Sequence, residues 1–177
     1  MKRTWTAVLL ALPAFAACSE NDVTAPQPAA SGSSPALALD GGRPRPFEGR
    51  CETSIAIVPP RPEDTPNILR LREGYVCRLS HLGRVTAVAE QIVIFTGPTT
   101  AISSNRTTWT AANGDQLFGA WSGTAVTAGP DVTFSGLERF VGSTGRFKNA
   151  RGDAWITGTA TFITNKGVFT MRGKLRY

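Results

Sequence analysis

The chain has 177 residues, of which 41% are hydrophobic and 18% charged, and its formal net charge is +6 at pH 7. Its basic residues are scattered without forming a run, and no recognition helix or aromatic-basic motif accompanies them, so nucleic acid is not an expected partner. One histidine and two cysteines that pair with each other cannot supply a zinc site, and no phosphate-loop ending or nucleophile elbow occurs, so no metal or cofactor is expected.

The N-terminus has the order of an export signal. Lys2 and Arg3 precede the apolar run 7–12, which is too short to span a bilayer, and small residues follow it. The pair Ala16-Ala17 before Cys18 resembles the lipobox of bacterial lipoprotein signals, although Phe15 stands where that family usually has leucine. The resemblance implies a signal peptide over 1–17 and a lipidated Cys18 that anchors the protein to a membrane. Ser19 in place of aspartate implies the outer membrane; the alternative is an ordinary signal peptide with a chance cysteine.

Residues 18–45 are rich in Pro, Ala, Ser and Gly, and they predict a flexible tether. Residues 46–177 then form one domain. This domain carries 15 Lys and Arg against 10 Asp and Glu, a net charge of +5. An anionic membrane or polysaccharide surface is compatible with that surplus.

The domain contains two further cysteines, Cys51 and Cys77. An even pair in an oxidising compartment predicts a disulfide. It would close about 27 residues and contribute roughly 3.5 kcal/mol on the chain-entropy model. The alternative, a thiol nucleophile, requires both cysteines to stay reduced.

The pattern over most of the domain has the period of two that is typical of strands. Only the segment 64–73 suggests a short helix, capped by Asp64 or Thr65. Asn113-Gly114-Asp115, Gly129-Pro130-Asp131 and Asn165-Lys166-Gly167 supply turns, the last with glycine at positive φ. Eight strands are predicted, over 51–58, 74–82, 84–95, 106–112, 116–127, 131–141, 152–164 and 167–177. This spacing predicts an all-β fold, a single antiparallel eight-stranded β-barrel or a sandwich.

The last two strands show their faces most clearly. In the final strand the inward face carries Phe169, Met171, Leu175 and Tyr177, whereas the intervening residues are basic or polar. In the preceding strand the small inward residues, with Phe162, alternate with polar ones. Trp155 is expected to project outward and to offer a contact for a partner or for a second copy of the chain.

The segment 142–162 followed by 167–177 resembles the C-terminal hairpin of the allene oxide cyclase and dirigent type of barrel, notably in Thr144-Gly145-Arg146-Phe147, Ala150 and Gly152. The segments 77–90 and 111–124 look like the corresponding parts of bacterial relatives. The resemblance implies a calycin-like eight-stranded barrel able to hold an apolar ligand. The functional residues of that family cannot be matched position by position here.

Few residues suggest chemistry. In 85–95 either Glu90 or Gln91 must face inward, and a buried Glu90 would be a candidate acid or base; the other reading places Gln91 inside. His81 is a second weak catalytic candidate, with a structural role as the alternative. Arg146 is expected to pair with Glu138 or Asp153 while Phe147 plugs the barrel end. Arg151-Gly152-Asp153 is expected to begin a strand, where an adhesion signal would not be presented.

The sequence therefore predicts an exported, membrane-anchored lipoprotein of the bacterial cell envelope. Its barrel is expected to be non-catalytic and to bind an apolar small molecule, with Phe162, Phe169, Met171 and Tyr177 as ligand-contacting residues, or to act as an envelope interaction module. The alternatives are an isomerase-like or cyclase-like enzyme with an acid inside the barrel, and a structural lipoprotein whose barrel is packed solid.

Overall fold

The computed structural model describes residues 43–177, which form eight strands and one 3₁₀ turn. The expected signal peptide, Cys18 and nearly all of the expected tether lie outside the described residues. The strands are β1 Arg45–Val58, β2 Ile68–Leu79, β3 Gly83–Phe95, β4 Thr100–Ala111, β5 Gln116–Ala128, β6 Asp131–Ser143, β7 Arg151–Thr161 and β8 Lys166–Arg176; the 3₁₀ turn is Gly145–Phe147. No helix among the described residues is long and apolar enough to cross a bilayer.

The strands form a closed barrel in which each pairs antiparallel with the next, and β1 closes the ring by pairing with β8. The predicted eight-stranded antiparallel barrel is confirmed. Closure leaves no free sheet edge, and the core is built from residues of all eight strands. Residues 43–177 are therefore a self-contained folding unit. We call the end where β1 begins and β8 ends the base, and the opposite end the mouth.

Alternating burial explains why this sequence closes into a barrel. Along β8, Phe169, Met171 and Leu175 are buried, whereas Arg172 and Lys174 are exposed. The expected inward face of the last strand is thus the observed one. Trp155 on β7 projects outward as expected and is 54% exposed.

The predicted short helix over 64–73 is wrong, because β2 begins at Ile68 and pairs along its length with β3. Asp64 does not cap a helix. It accepts hydrogen bonds from the backbone N–H of Arg61 and from the Arg70 guanidinium, each at 2.7 Å, and these donors lower the pKa of Asp64 to about 2. Asp64 therefore fixes the proline-rich β1–β2 loop onto β2.

The predicted turns are present, with one change in detail. Gly114 and Gly129 adopt positive φ of 86° and 63°. In the β7–β8 turn Asn165, at φ 55°, takes the left-handed conformation expected of Gly167. Asparagine tolerates this region better than other side-chain-bearing residues, and Gly167 already lies in β8.

The predicted disulfide is confirmed. Cys51 and Cys77 lie directly opposite one another on β1 and β2, and they are bonded and fully buried. The bond therefore locks the register of these two strands across the loop that Asp64 also holds.

The base of the barrel is plugged by Phe147, which is 2% exposed and packs against the Tyr177 ring with centroids 5.1 Å apart. The expected pairing of Arg146 with Glu138 or Asp153 is wrong. Arg146 Nε lies 3.8 Å from Asp115 Oδ2 in the β4–β5 turn, because Glu138 points into the barrel.

Candidate ligand cavity

A cavity of about 70 Å³ occupies the mouth half of the barrel. Because one water needs roughly 10–15 Å³ on this measure, the cavity holds several waters, or one small ring, or one end of a longer molecule. Its rim is apolar and comes from strand ends and the β7–β8 turn: Leu69, Phe95, Val132 and Phe162. The interior is therefore open at the mouth.

Polar side chains line the cavity at the waist of the barrel. The hydroxyl of Tyr75 donates a short hydrogen bond to Glu73, and Asn105 Nδ2 lies 3.4 Å from the same hydroxyl oxygen. Burial raises the pKa of Glu73 against the opposing effect of the Tyr75 hydrogen bond, and burial, together with the charge of Glu73, raises the pKa of Tyr75 well above its usual value. Gln91 Nε2 donates to Ser103 Oγ at 2.8 Å.

Glu138 is the most deeply buried of these groups, with 1% of its surface exposed. Trp109 Nε1 donates to Glu138 Oε1 at 3.0 Å, and Gly119 on the adjacent strand leaves room for the carboxyl group. A Cβ at position 119 would lie 1.9 Å from Glu138 Oε1. Burial raises the pKa of Glu138 to about 7, although the Trp109 hydrogen bond opposes the shift. Both protonation states of this acid are therefore accessible near neutral pH.

Trp121 also lines the cavity, and its Nε1–H is a buried donor without a hydrogen-bond partner among the described residues. Its ring fits against two glycines, since a Cβ at Gly123 or Gly136 would lie within 3 Å of ring atoms. A buried donor left unsatisfied costs about 1–3 kcal/mol. The waist therefore carries unused hydrogen-bonding capacity.

Below the waist the barrel is packed solid. Leu79, Leu82, Leu117 and Phe140 fill the base above the Phe147 plug, leaving a gap of only about 10 Å³. The four residues expected to contact a ligand are thus divided. Phe162 and Phe169 line the cavity, whereas Met171 is fully buried in the core and Tyr177 lies at the base.

The two weak catalytic candidates both lie outside the cavity. Glu90 is exposed on the outer face of β3, directly opposite Arg72 and Arg106 on the neighbouring strands, and Gln91 faces inward in its place. His81 is exposed in the β2–β3 turn with φ of 63°. Neither side chain reaches an enclosed site.

Sequence reasoning missed Glu73 and Glu138, although the signal for both was present. In β2 the residues Leu71, Glu73 and Tyr75 alternate on one face, but the helical interpretation of this segment hid that alternation. In β6 Glu138 lies between Gly136 and Phe140 on the inward face.

The described residues hold no group of three or more His, Cys, Asp or Glu side chains that could bind a metal ion. In comparisons with known proteins, no family model, curated protein or solved structure matches the chain.

Proposed function

We propose that the protein is a membrane-anchored lipoprotein whose barrel binds an apolar small molecule carrying one uncharged hydrogen-bond-accepting oxygen. The observation that carries the proposal is the cavity itself, which has an apolar rim, a polar waist and a packed base. Small-molecule sites are typically apolar clefts with a few placed polar groups. An end of a ligand of this class fits the space between Phe162, Phe169 and the waist.

The waist favours a neutral acceptor over an anion. Protonated Glu73 and Glu138 each carry a donor, and the Trp121 N–H is unpaired in the described part of the chain. Once ionised, the same two carboxylates repel an anionic ligand. A carbonyl, ether or hydroxyl oxygen gains a hydrogen bond without that repulsion.

The location and kinship parts of the proposal rest on the sequence. The order of basic residues, apolar run and Ala16-Ala17-Cys18 supports lipid anchoring in the cell envelope. The hairpin motifs support kinship with the allene oxide cyclase and dirigent type of barrel, and an eight-stranded barrel is compatible with that kinship. Fold alone does not transfer an activity, so binding is proposed in preference to catalysis.

A second candidate function is an isomerase or cyclase that uses Glu138 as a general acid or base. It is favoured by the pKa of about 7 of this acid, since proton transfer is most effective near the working pH. If a bound compound is found to be converted, Glu138→Gln is expected to abolish the conversion and leave binding in place. Unchanged turnover would remove Glu138 from the mechanism.

The first test is native mass spectrometry of residues 43–177 exported in the source organism, followed by extraction of bound compounds. A co-purifying apolar compound with an oxygen acceptor is expected. Recovery of a barrel with no bound compound, together with no binding of the probes described next, would favour the structural alternative.

The second test uses matched probes. Cyclohexanone and methylcyclohexane have the same number of heavy atoms, but only the ketone carries an acceptor. We expect amide chemical-shift changes around the cavity with both probes. After each affinity is divided by the probe's partition coefficient from water into cyclohexane, the corrected affinity of the ketone should be at least fivefold higher. Ala160→Leu, which fills the rim, should weaken the binding of both probes. Thr157→Leu, on the outer face of the same strand, should leave the binding of both unchanged. Equal corrected affinities for the two probes would refute the polar part of the proposal.

A further inference from the structure

Three arginines stand side by side on the outer surface near the base of the barrel. Arg50 on β1 lies directly opposite Arg78 on β2, and Arg78 lies directly opposite Arg84 on β3. All three are exposed, and within residues 43–177 no carboxylate lies within salt-bridge distance of any of them. Like charges directly opposite one another destabilise a sheet. This ladder therefore costs stability in the isolated domain.

A second like-charged pair lies at the same end. Arg151, the first residue of β7, faces Arg176, the last residue of β8, and both are exposed. Because β8 pairs with β1, strands β7, β8, β1, β2 and β3 are consecutive around the barrel. The five arginines therefore surround half of the circumference of the base, from β7 to β3, and we call them the basic patch.

Among the acidic residues on these strands near the base, Glu48 and Asp153 are engaged or opposed by other cations, whereas Glu52, exposed on β1 two residues from Arg50, lies opposite Val76 and Val168. Glu48 Oε2 lies 3.4 Å from Arg172 Nε, and Asp153 lies opposite Lys174 in the β7–β8 register. Glu52 alone cannot neutralise five arginines, so the basic patch keeps a net positive charge.

The mouth end differs in charge. Arg70 is paired with Asp64 at 2.7 Å, and Arg61 lies 4.0 Å from Glu63. Asp131 and Lys166 add one exposed charge of each sign, so the mouth end is balanced. The positive surplus of the domain is thus concentrated at the base.

We propose that the basic patch docks the barrel onto an anionic lipid bilayer. Each arginine near such a surface contributes about fivefold in affinity, and arginine forms bidentate contacts with phosphate oxygens. Lipid headgroups also relieve the repulsion within the ladder. The chain enters β1 at Arg45, which also lies at the base.

The proposal is independent of the ligand cavity and is tested without the lipid anchor. Residues 43–177 are sedimented with vesicles of phosphatidylcholine alone and of phosphatidylcholine with about one quarter phosphatidylglycerol, at about 50 mM and 500 mM salt. We expect binding only to the anionic vesicles, and its loss at high salt.

The variant Arg50→Gln/Arg78→Gln/Arg84→Gln should bind anionic vesicles about 100-fold more weakly. Removing the ladder also removes its repulsion, so this variant should have a melting temperature at least as high as that of the wild type. A loss of vesicle binding can then not be attributed to unfolding. The matched control is Arg61→Gln/Arg72→Gln/Arg106→Gln, which has the same net charge as the first triple variant but is changed outside the patch. Its affinity for anionic vesicles should fall by less than fivefold.

Equal losses in the two triple variants would mean that net charge alone drives the binding, and the patch proposal would fail. It would also fail if the domain did not bind anionic vesicles at low salt. Binding of soluble heparin, added in a separate titration, without binding of anionic vesicles would likewise refute it. An absent ligand in the cavity experiments would leave the vesicle result unaffected.

Discussion

The buried acid Glu138 gives the barrel a stability that depends on pH, and the isosteric change Glu138→Gln should remove that dependence. Glutamine retains an oxygen that accepts from Trp109 Nε1, now 3.0 Å from Glu138 Oε1, but it cannot ionise. The substitution therefore isolates the cost of a buried negative charge.

The magnitude follows from the pKa of Glu138, which rises from 4.5 to about 7 because the carboxyl group is buried. A tenfold change in acidity corresponds to about 1.4 kcal/mol, so ionising this group in the folded barrel costs about 3 kcal/mol. Below pH 4.5 the acid is protonated whether the chain is folded or not. Between pH 4.5 and about 7 this group is ionised in the unfolded chain but still protonated in the folded barrel, so the free energy of unfolding falls as the pH rises. Above pH 7 the group ionises in both states, and the free energy of unfolding stops falling.

Urea unfolding followed by tryptophan fluorescence between about pH 5 and 8 measures this effect. The free energy of unfolding of Glu138→Gln, minus that of the wild type, should increase by about 2.5 kcal/mol between pH 5 and 8, because part of the effect is already present at pH 5. Glu73 is present in both proteins, so its own contribution cancels. Glu52→Gln, exposed on the outer face opposite Val76 and Val168, serves as the control and should differ from the wild type by less than about 0.5 kcal/mol throughout. A difference for Glu138→Gln that stays constant, or that shrinks as the pH rises, would refute the reasoning.

Three further predictions concern stability. Gly119→Ala should cost about 1–3 kcal/mol, because its Cβ meets the Glu138 carboxyl group, and the cost should fall in a Glu138→Ala background; equal costs in both backgrounds would contradict the contact. Cys51→Ala/Cys77→Ala should lower the free energy of unfolding by about 3.5 kcal/mol in urea, and a loss below about 1 kcal/mol would show that the disulfide is not a major constraint. Asp64→Asn should speed amide hydrogen exchange in the β1–β2 loop and lower the melting temperature, because a carboxylate whose pKa is lowered to about 2 stabilises the folded state when it is ionised; an unchanged exchange rate would show that Asp64 does not fix the loop.

The C-terminal half of the fold was predictable because its patterns are local. Phe169, Met171 and Leu175 share one face and alternate with polar or basic residues, and the Asn113-Gly114 and Gly129-Pro130 turns carry their own conformational preferences. Both kinds of signal act within a few residues, so no knowledge of distant partners is needed.

The start of β2 and the surroundings of the cavity acids could not be predicted in the same way, although the alternation that turns both acids inward is local. Asp64-Thr65-Pro66 has the composition of a helix start, and only pairing of Ile68 with Ile94 across the barrel favours the strand. The environment of Glu138 depends on Trp109 and Gly119 from two other strands and on the register shift between Leu117 and Gly119. Such long-range register is not encoded in any single segment.

Because the number of strands is even, β1 begins and β8 ends at the same pole of the barrel. A fluorophore or an immobilisation handle joined after Tyr177 would therefore sit at the far pole from Phe162 and the cavity rim. Ligand exchange can then be followed on surface-tethered molecules whose cavity mouth stays free. A reporter domain fused at the same end would likewise not obstruct ligand entry.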